Sequence, residues 1–301
     1  MKIPFFDCHC DTAVEMLQKN EGLRKNGLHV DLERLSAFSP SAQVFAVCTC
    51  KSDRSEADAA IIKLKNERTK NSDLISLCLS FEDIESAEKA HKTAALLSIE
   101  GAEQYGCSID GLYEMGVRII HPTWNYDNAL SGAAMGSGSG LTEQGREYIK
   151  KAQSIGILID LSHISERGFW DTLEISQSPV IAGHSDSAAV CNAPRNLTDA
   201  QFTALVKQGG GAGINLYPHF LGLNTDIDAV IAHIEHFLSL GGEKSVFLGC
   251  DFDGIECTPE GISGVQDIEK LYDALLKRNY PEALVRDIFR NNIYEIMRSV
   301  L

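Results

Sequence analysis

Long apolar runs are missing from this chain. No stretch approaches the roughly 20 residues that a bilayer-spanning helix needs, so a membrane segment is not expected. The opening stretch 1–6 has one lysine and a short apolar run that contains Pro4. It then enters the polar run 7–11, which leaves no signal-peptide core, and the expected location is cytoplasmic. Positive charge is scarce as well, with 27 Lys and Arg against 42 Asp and Glu and a net charge of −15. Nucleic-acid binding draws most of its affinity from clustered cations that displace counterions, so this balance argues against it. The densest basic group is Lys63, Lys65, Arg68 and Lys70. Glu67 interrupts it, and it reads as the solvated face of a helix.

No C-x-x-C occurs, although there are nine cysteines. The odd number in a long chain without a leader favours free, buried thiols. Cys8 and Cys10 flank a histidine, but no second pair has zinc-finger spacing, so a thiolate metal site is the lesser reading. Repeats, low-complexity tails and convincing linkers are also absent. An apolar share of 44% with 23% charged residues excludes intrinsic disorder.

What is present is a series of short, β-rich apolar runs. There are eight: 3–9, 42–50, 94–100, 116–123, 156–163, 179–184, 211–217 and 244–251. Segments of helical period lie at 142–154, 227–240, 267–277 and 282–300. The Gly/Ser-rich stretch 131–140 reads as a mobile loop. Strands that alternate with helices imply parallel strands joined by crossovers. Eight such units suit a (β/α)8 TIM-like barrel, here one catalytic domain over residues 1–301 with C-terminal helices. The open doubly wound alternative usually carries a glycine-rich turn after its first strand. This chain has none there.

Barrel enzymes keep their chemistry at the C-terminal ends of the strands. Here those ends carry His9 and Asp11, then Glu100, His163, His184 and Asp251. On an extended segment, residues two apart point the same way, so His9 and Asp11 can reach one cation, and Asp7 shares their parity. His163 and His184 end consecutive strands. For either alone a hydrogen-bonded core histidine is the better reading; together with the rest, metal is favoured. Five donors exceed the needs of one four-coordinate catalytic ion. Two divalent cations sharing Glu100 as a bridge fit better. Such a pair, roughly 3.5–4 Å apart, lowers the pKa of a bridging water and polarises a carbonyl. Asp251 is then free to move the proton. His233 and His236 lack the H-E-x-x-H pattern and read as structural or surface residues. His29, His91 and His219 have no supporting carboxylates, and the glycines 209–211 precede a strand rather than a helix.

These residues resemble the membrane (renal) dipeptidase family of binuclear zinc metallopeptidases, in particular its shorter bacterial members. The resemblance runs from the 7–11 motif to Asn291 and Asn292. It is most specific at 98–101 (S-I-E-G), 160–163 (D-L-S-H), His184-Ser185 followed by 194–196 (P-R-N), and 251–254 (D-F-D-G). It implies one zinc on His9 and Asp11, a second on His163 and His184, a Glu100 bridge, and Asp251 as the proton-transferring acid. It also implies Arg195 as the residue that holds the substrate's terminal carboxylate, Tyr217 as a substrate contact, and a possible homodimer. For Arg195 the plain alternative is a surface salt bridge, and for Tyr217 it is core packing. Two departures stand out. Cys8 and Cys10 replace the family's Gly and Asn, with a parity that points them away from the metals. Trp124 stands where the better-known animal enzymes have a substrate-binding histidine. His121, three positions earlier and of opposite parity, does not take over that role. The expected activity is hydrolysis of dipeptides, small-molecule substrates, through a metal-bridging hydroxide. The alternatives are an amidohydrolase acting on an N-acyl amino acid, lactam or tailoring substrate, and a non-catalytic metal-binding or scaffold barrel.

Overall fold

A computed structural model describes residues 2–49, 54–105 and 108–301, the side chain of residue 104 excepted. Nine strands occur in it: β1 (Phe5–Cys10), β2 (Ser41–Cys48), β3 (Ile75–Leu77), β4 (Thr93–Glu100), β5 (Val117–His121), β6 (Leu158–Asp160), β7 (Val180–Ala182), β8 (Gly211–Ile214) and β9 (Val246–Leu248). All pairings between them are parallel. The order runs β2-β1-β9-β8-β7-β6-β5-β4-β3, and β2 also pairs with β4. That last pairing closes eight strands into the expected barrel. Each of the eight apolar runs supplies one barrel strand. Cys50, the end of the second run, lies outside the described residues.

The ninth strand, β3, was not expected. It pairs with residues 93–95 of β4, below the point where β5 joins β4 at Leu97. Three residues are too few to show a period.

Several strands stop short of their apolar runs because side chains take over the backbone bonds. Asp160 Oδ1 accepts from the N–H of Ser162 (2.9 Å) and of Gly183 (2.8 Å). Asp7 Oδ1 accepts from the N–H of Cys250 (2.7 Å), and Asp186 Oδ1 from that of Asn215 (3.1 Å). These three carboxylates are fully buried and steer the segments that follow the strands.

Phe6, Cys8, Val44, Leu96, Ile119, Leu158, Ile181 and Phe247 pack together inside the barrel. The alternate strand residues pack outward against the helices. Helix starts are capped by side chains: Thr142 accepts from the N–H of Gly145, and Asp226 from that of Ala229. The C-terminal segment is interrupted by a π turn at Asp287–Asn291 between the helices Glu282–Arg286 and Asn292–Val300. In the last helix, Ile293, Ile296 and Met297 join the interior cluster. Asn292 Nδ2 donates to the carbonyls of Glu243 (2.9 Å) and Val246 (2.8 Å). This helix therefore plugs the end of the barrel opposite the strand C-termini. No helix among the described residues is long and apolar enough to cross a membrane.

Candidate metal centre

The C-terminal ends of the strands bring the predicted donors together. β1 delivers His9, and a register shift between Asp7 and Cys10 disturbs its alternation. Asp11 is the N-cap of the helix Thr12–Gln18. The turn into that helix, rather than strand parity alone, swings Asp11 Oδ2 to 3.3 Å from His9 Nε2. Asp251 Oδ1 lies 3.8 Å from the same nitrogen. Glu100 ends β4, and its Oε1 lies 2.8 Å from His163 Nε2 and 3.5 Å from His184 Nε2. Those two nitrogens are 2.9 Å apart. His163 and Asp251 both adopt positive φ, 72° and 59°. A left-handed conformation is costly for such residues and persists where the surroundings enforce it, commonly at functional sites.

The electrostatics favour positive charge in this cluster. Burial, with Asp11 and Asp251 nearby, pushes the Glu100 carboxyl up to about 8, against the pull of His9. Burial alone would lower His9, but Asp11, Glu100 and Asp251 overcome it and raise it to about 10. Burial, then the positive neighbours, push His163 and His184 well below the ordinary histidine value. They are neutral imidazoles, the form that ligates metal. His163 Nδ1 lies 2.7 Å from Asn125 Oδ1. A carbonyl oxygen only accepts, so Nδ1 carries the hydrogen and Nε2 presents its lone pair. Glu100 Oε1, His9 Nδ1 and His184 Nδ1 are buried without hydrogen-bond partners. Imidazole and carboxylate donors at these separations fit zinc-like divalent cations.

Two groupings of possible ligands emerge, His9 with Asp11 and Asp251, and His9 with Glu100, His121 and His184. His121 was not expected there. It ends β5 in register with Glu100, its two ring nitrogens are buried without hydrogen-bond partners, and it groups with the predicted donors His9, Glu100 and His184.

Above the cluster opens a cleft of about 350 Å³. Asp11, Glu100, His163, Asp251, Trp124 and Tyr217 are among its walls. The Tyr217 hydroxyl is hydrogen-bonded to Glu256, and burial followed by that carboxylate pushes it up to about 12. Arg195 faces an adjoining cavity of about 330 Å³, which shares His163. It is buried rather than a surface salt-bridge residue. Its guanidinium donates weakly to Ser185 Oγ and the His184 carbonyl, both at 3.4 Å, and its Nε has no partner. Asn215 was also missed by sequence reasoning. Its Nδ2 donates to Asp251 Oδ2 (2.9 Å) and the His184 carbonyl (3.3 Å), and its Oδ1 accepts from the N–H of Tyr217 (2.6 Å).

Other expectations resolve plainly. Asp7 shares the parity of His9, yet its carboxylate is engaged by Gln43 and Cys250 instead. Cys8 and Cys10 are buried free thiols, pushed well up by burial, and neither belongs to a donor group. Cys48 corrects the free-thiol expectation, because it is disulfide-bonded. Cys50 and Cys107 lie outside the described residues. His233 is buried and structural, whereas His236 pairs with Asp199 at 2.7 Å near the surface.

The family model described as membrane dipeptidase, peptidase family M19, matches residues 1–301. The chain belongs to the membrane dipeptidase family. Among its relatives is an uncharacterized protein from the pqqA 5' region of Klebsiella pneumoniae, 34% identical over 242 residues, which cover 75% of this chain and 89% of that protein. An uncharacterized dipeptidase, C965.12, of Schizosaccharomyces pombe is 33% identical over 219 residues, 69% of this chain and 52% of the yeast protein. Among solved structures, the metallopeptidase dipeptidase AC of family M19 superposes with a TM-score of 0.90 at 26% identity, over 100% of this chain and 99% of that one. A metallopeptidase from Rhodobacter sphaeroides, liganded with a phosphinate mimic of the dipeptide L-Ala-D-Ala, superposes at 0.89 with 25% identity over the full length of both. As an M19 chain, this protein is a metal-dependent hydrolase of the dipeptidase type.

Proposed function

We propose that this membrane dipeptidase family member is a zinc-dependent dipeptidase whose substrate lies in the cleft over the cluster of His9, Asp11, Glu100, His163 and His184. The observation that carries the reading is the convergence of those five side chains on one buried point, with His163, His184 and Glu100 within 3.5 Å of one another. His9 and Asp11 would hold one cation, His163 and His184 the other, and Glu100 would be shared. When bound, the pair supplies an acidified water and polarises the scissile carbonyl.

The chain's own residues do the rest. Asp251 accepts the proton of the attacking water and passes it to the leaving amine. Asn215 holds its Oδ2, which leaves Oδ1 turned toward His9. Arg195 is buried beside His163, and its planar guanidinium suits the substrate's terminal carboxylate. That contact, with a cleft of only about 350 Å³, limits the substrate to short peptides. Tyr217 lines the cleft as a substrate contact, its hydroxyl anchored by Glu256. The Rhodobacter relative's dipeptide-mimic ligand supports the same substrate class. Our reading also takes residues 1–301 as one catalytic domain of a cytoplasmic enzyme, with homodimerisation carried over from the family.

The test is to load purified protein with zinc and compare a panel of dipeptides with N-acyl amino acids. Dipeptide hydrolysis supports the reading. Turnover confined to N-acyl amino acids favours the amidohydrolase alternative, which Trp124 keeps open because it stands where animal relatives use a histidine on the substrate. Measured metal content near zero, with no turnover, would restore the non-catalytic barrel.

A further inference from the structure

His121 is the last residue of β5 and is fully buried. It is the register partner of Glu100 on the neighbouring strand. Paired residues of parallel strands share a face, so it points inward with Glu100 and, two residues below, Ile119. Its ring makes an edge contact with His9 (centroids 5.3 Å apart, 80°) and a tilted one with His184 (5.5 Å, 43°). One of its nitrogens lies within 4.8 Å of donor atoms of His9, Glu100 and His184. Neither ring nitrogen has a hydrogen-bond partner. A buried imidazole left in that condition costs about 1–3 kcal/mol for each unsatisfied group, so a core-packing role alone explains it poorly.

A second orphan faces it. Asp160 Oδ2 is buried without a hydrogen bond, 3.5 Å from His121 Nε2. The other oxygen of Asp160 is tied to the N–H groups of Ser162 and Gly183, so the carboxylate cannot turn away. The room it occupies exists because residue 183 is glycine. A Cβ there would stand 2.0 Å from Asp160 Oδ2. An imidazole between a fixed carboxylate and a set of metal donors is the arrangement that orients a ligating histidine.

We propose that His121 is a further imidazole ligand of the metal centre, presented from the C-terminal end of β5 and oriented by Asp160. This assignment rests on the metal-centre reading above. It adds a fourth histidine to the three recognised from the sequence.

Cobalt(II) titration of the full-length protein tests it. In wild type, the hyperfine-shifted exchangeable imidazole N–H signals should number four, one each for His9, His121, His163 and His184. His121→Phe should remove one of them, change the visible absorption, and weaken one cobalt equivalent 10- to 100-fold in competition with a chelator. Asp160→Asn should weaken the same equivalent, and the double variant should be no worse than His121→Phe. His121→Gln, with far-UV circular dichroism, covers the case in which the phenylalanine is not accommodated. Three shifted signals in wild type, or unchanged cobalt affinity and spectrum in a folded His121 variant, would overturn the assignment. A wild type that takes up no cobalt would bring down the metal-centre reading itself, a distinguishable result.

Discussion

Asn125 and Asn215 show how much of this site is set by uncharged side chains. Asn125 fixes which nitrogen of His163 carries the hydrogen. Replacing it with leucine should cost 10- to 100-fold in affinity for one metal equivalent, measurable by chelator competition, while the fold persists. Asp251→Asn should lower kcat for dipeptides about a thousandfold and leave metal content at the wild-type level. Retained turnover would remove Asp251 from proton transfer. The donors His9, Asp11, Glu100, His163 and His184 were legible in the sequence because each ends an apolar run. His121, Asn125 and Asn215 were not, since their partners stand 21 to 38 positions away. His121 carried one usable signal. It lies inside the run 116–123 with the inward parity of Ile119, on the strand next to Glu100.

At the scale of elements, the eight barrel strands were readable because each apolar run is long enough to show itself. Their true ends were not, because Asp7, Asp160 and Asp186 redirect the chain through side-chain acceptors. The same competition tames the loop 131–140. Asp127 accepts from the N–H groups of Ala133 (2.8 Å) and Ser137 (3.0 Å), so a stretch that composition marks as mobile is fastened at both positions. The π turn at Asp287–Asn291 likewise broke a helix that periodicity had drawn as continuous. The segment around Gly183 provides the test at this scale. Gly183→Ala forces a Cβ onto Asp160 Oδ2 and should destabilise the protein by about 2 kcal/mol, read from urea unfolding. Gly27→Ala meets nothing within 4 Å and should stay within about 0.5 kcal/mol of wild type.

For the molecule as a whole, the buried His233 links stability to pH away from the metal centre. Its Nδ1 accepts from the N–H of Ser187 (3.0 Å), and its Nε2 donates to the Leu221 carbonyl (3.2 Å). Only the neutral ring can do both. Burial lowers its pKa from 6.5 to about 4. The unfolded chain takes up this proton first as pH falls, so the stabilisation is complete above pH 6.5 and drains away toward pH 4. The loss is about 3 kcal/mol. His233→Asn keeps an acceptor and cannot titrate. Its unfolding free energy should therefore fall less than that of wild type across this window, and parallel curves would refute the assignment.

The plug at the foot of the barrel has a consequence for biosynthesis. The helix Asn292–Val300 is translated after every strand it covers. Until residues 292–300 have been made, the cluster around Phe6, Leu96 and Phe247 lacks Ile293, Ile296 and Met297, so the foot of the barrel is the last part of this core to be sealed.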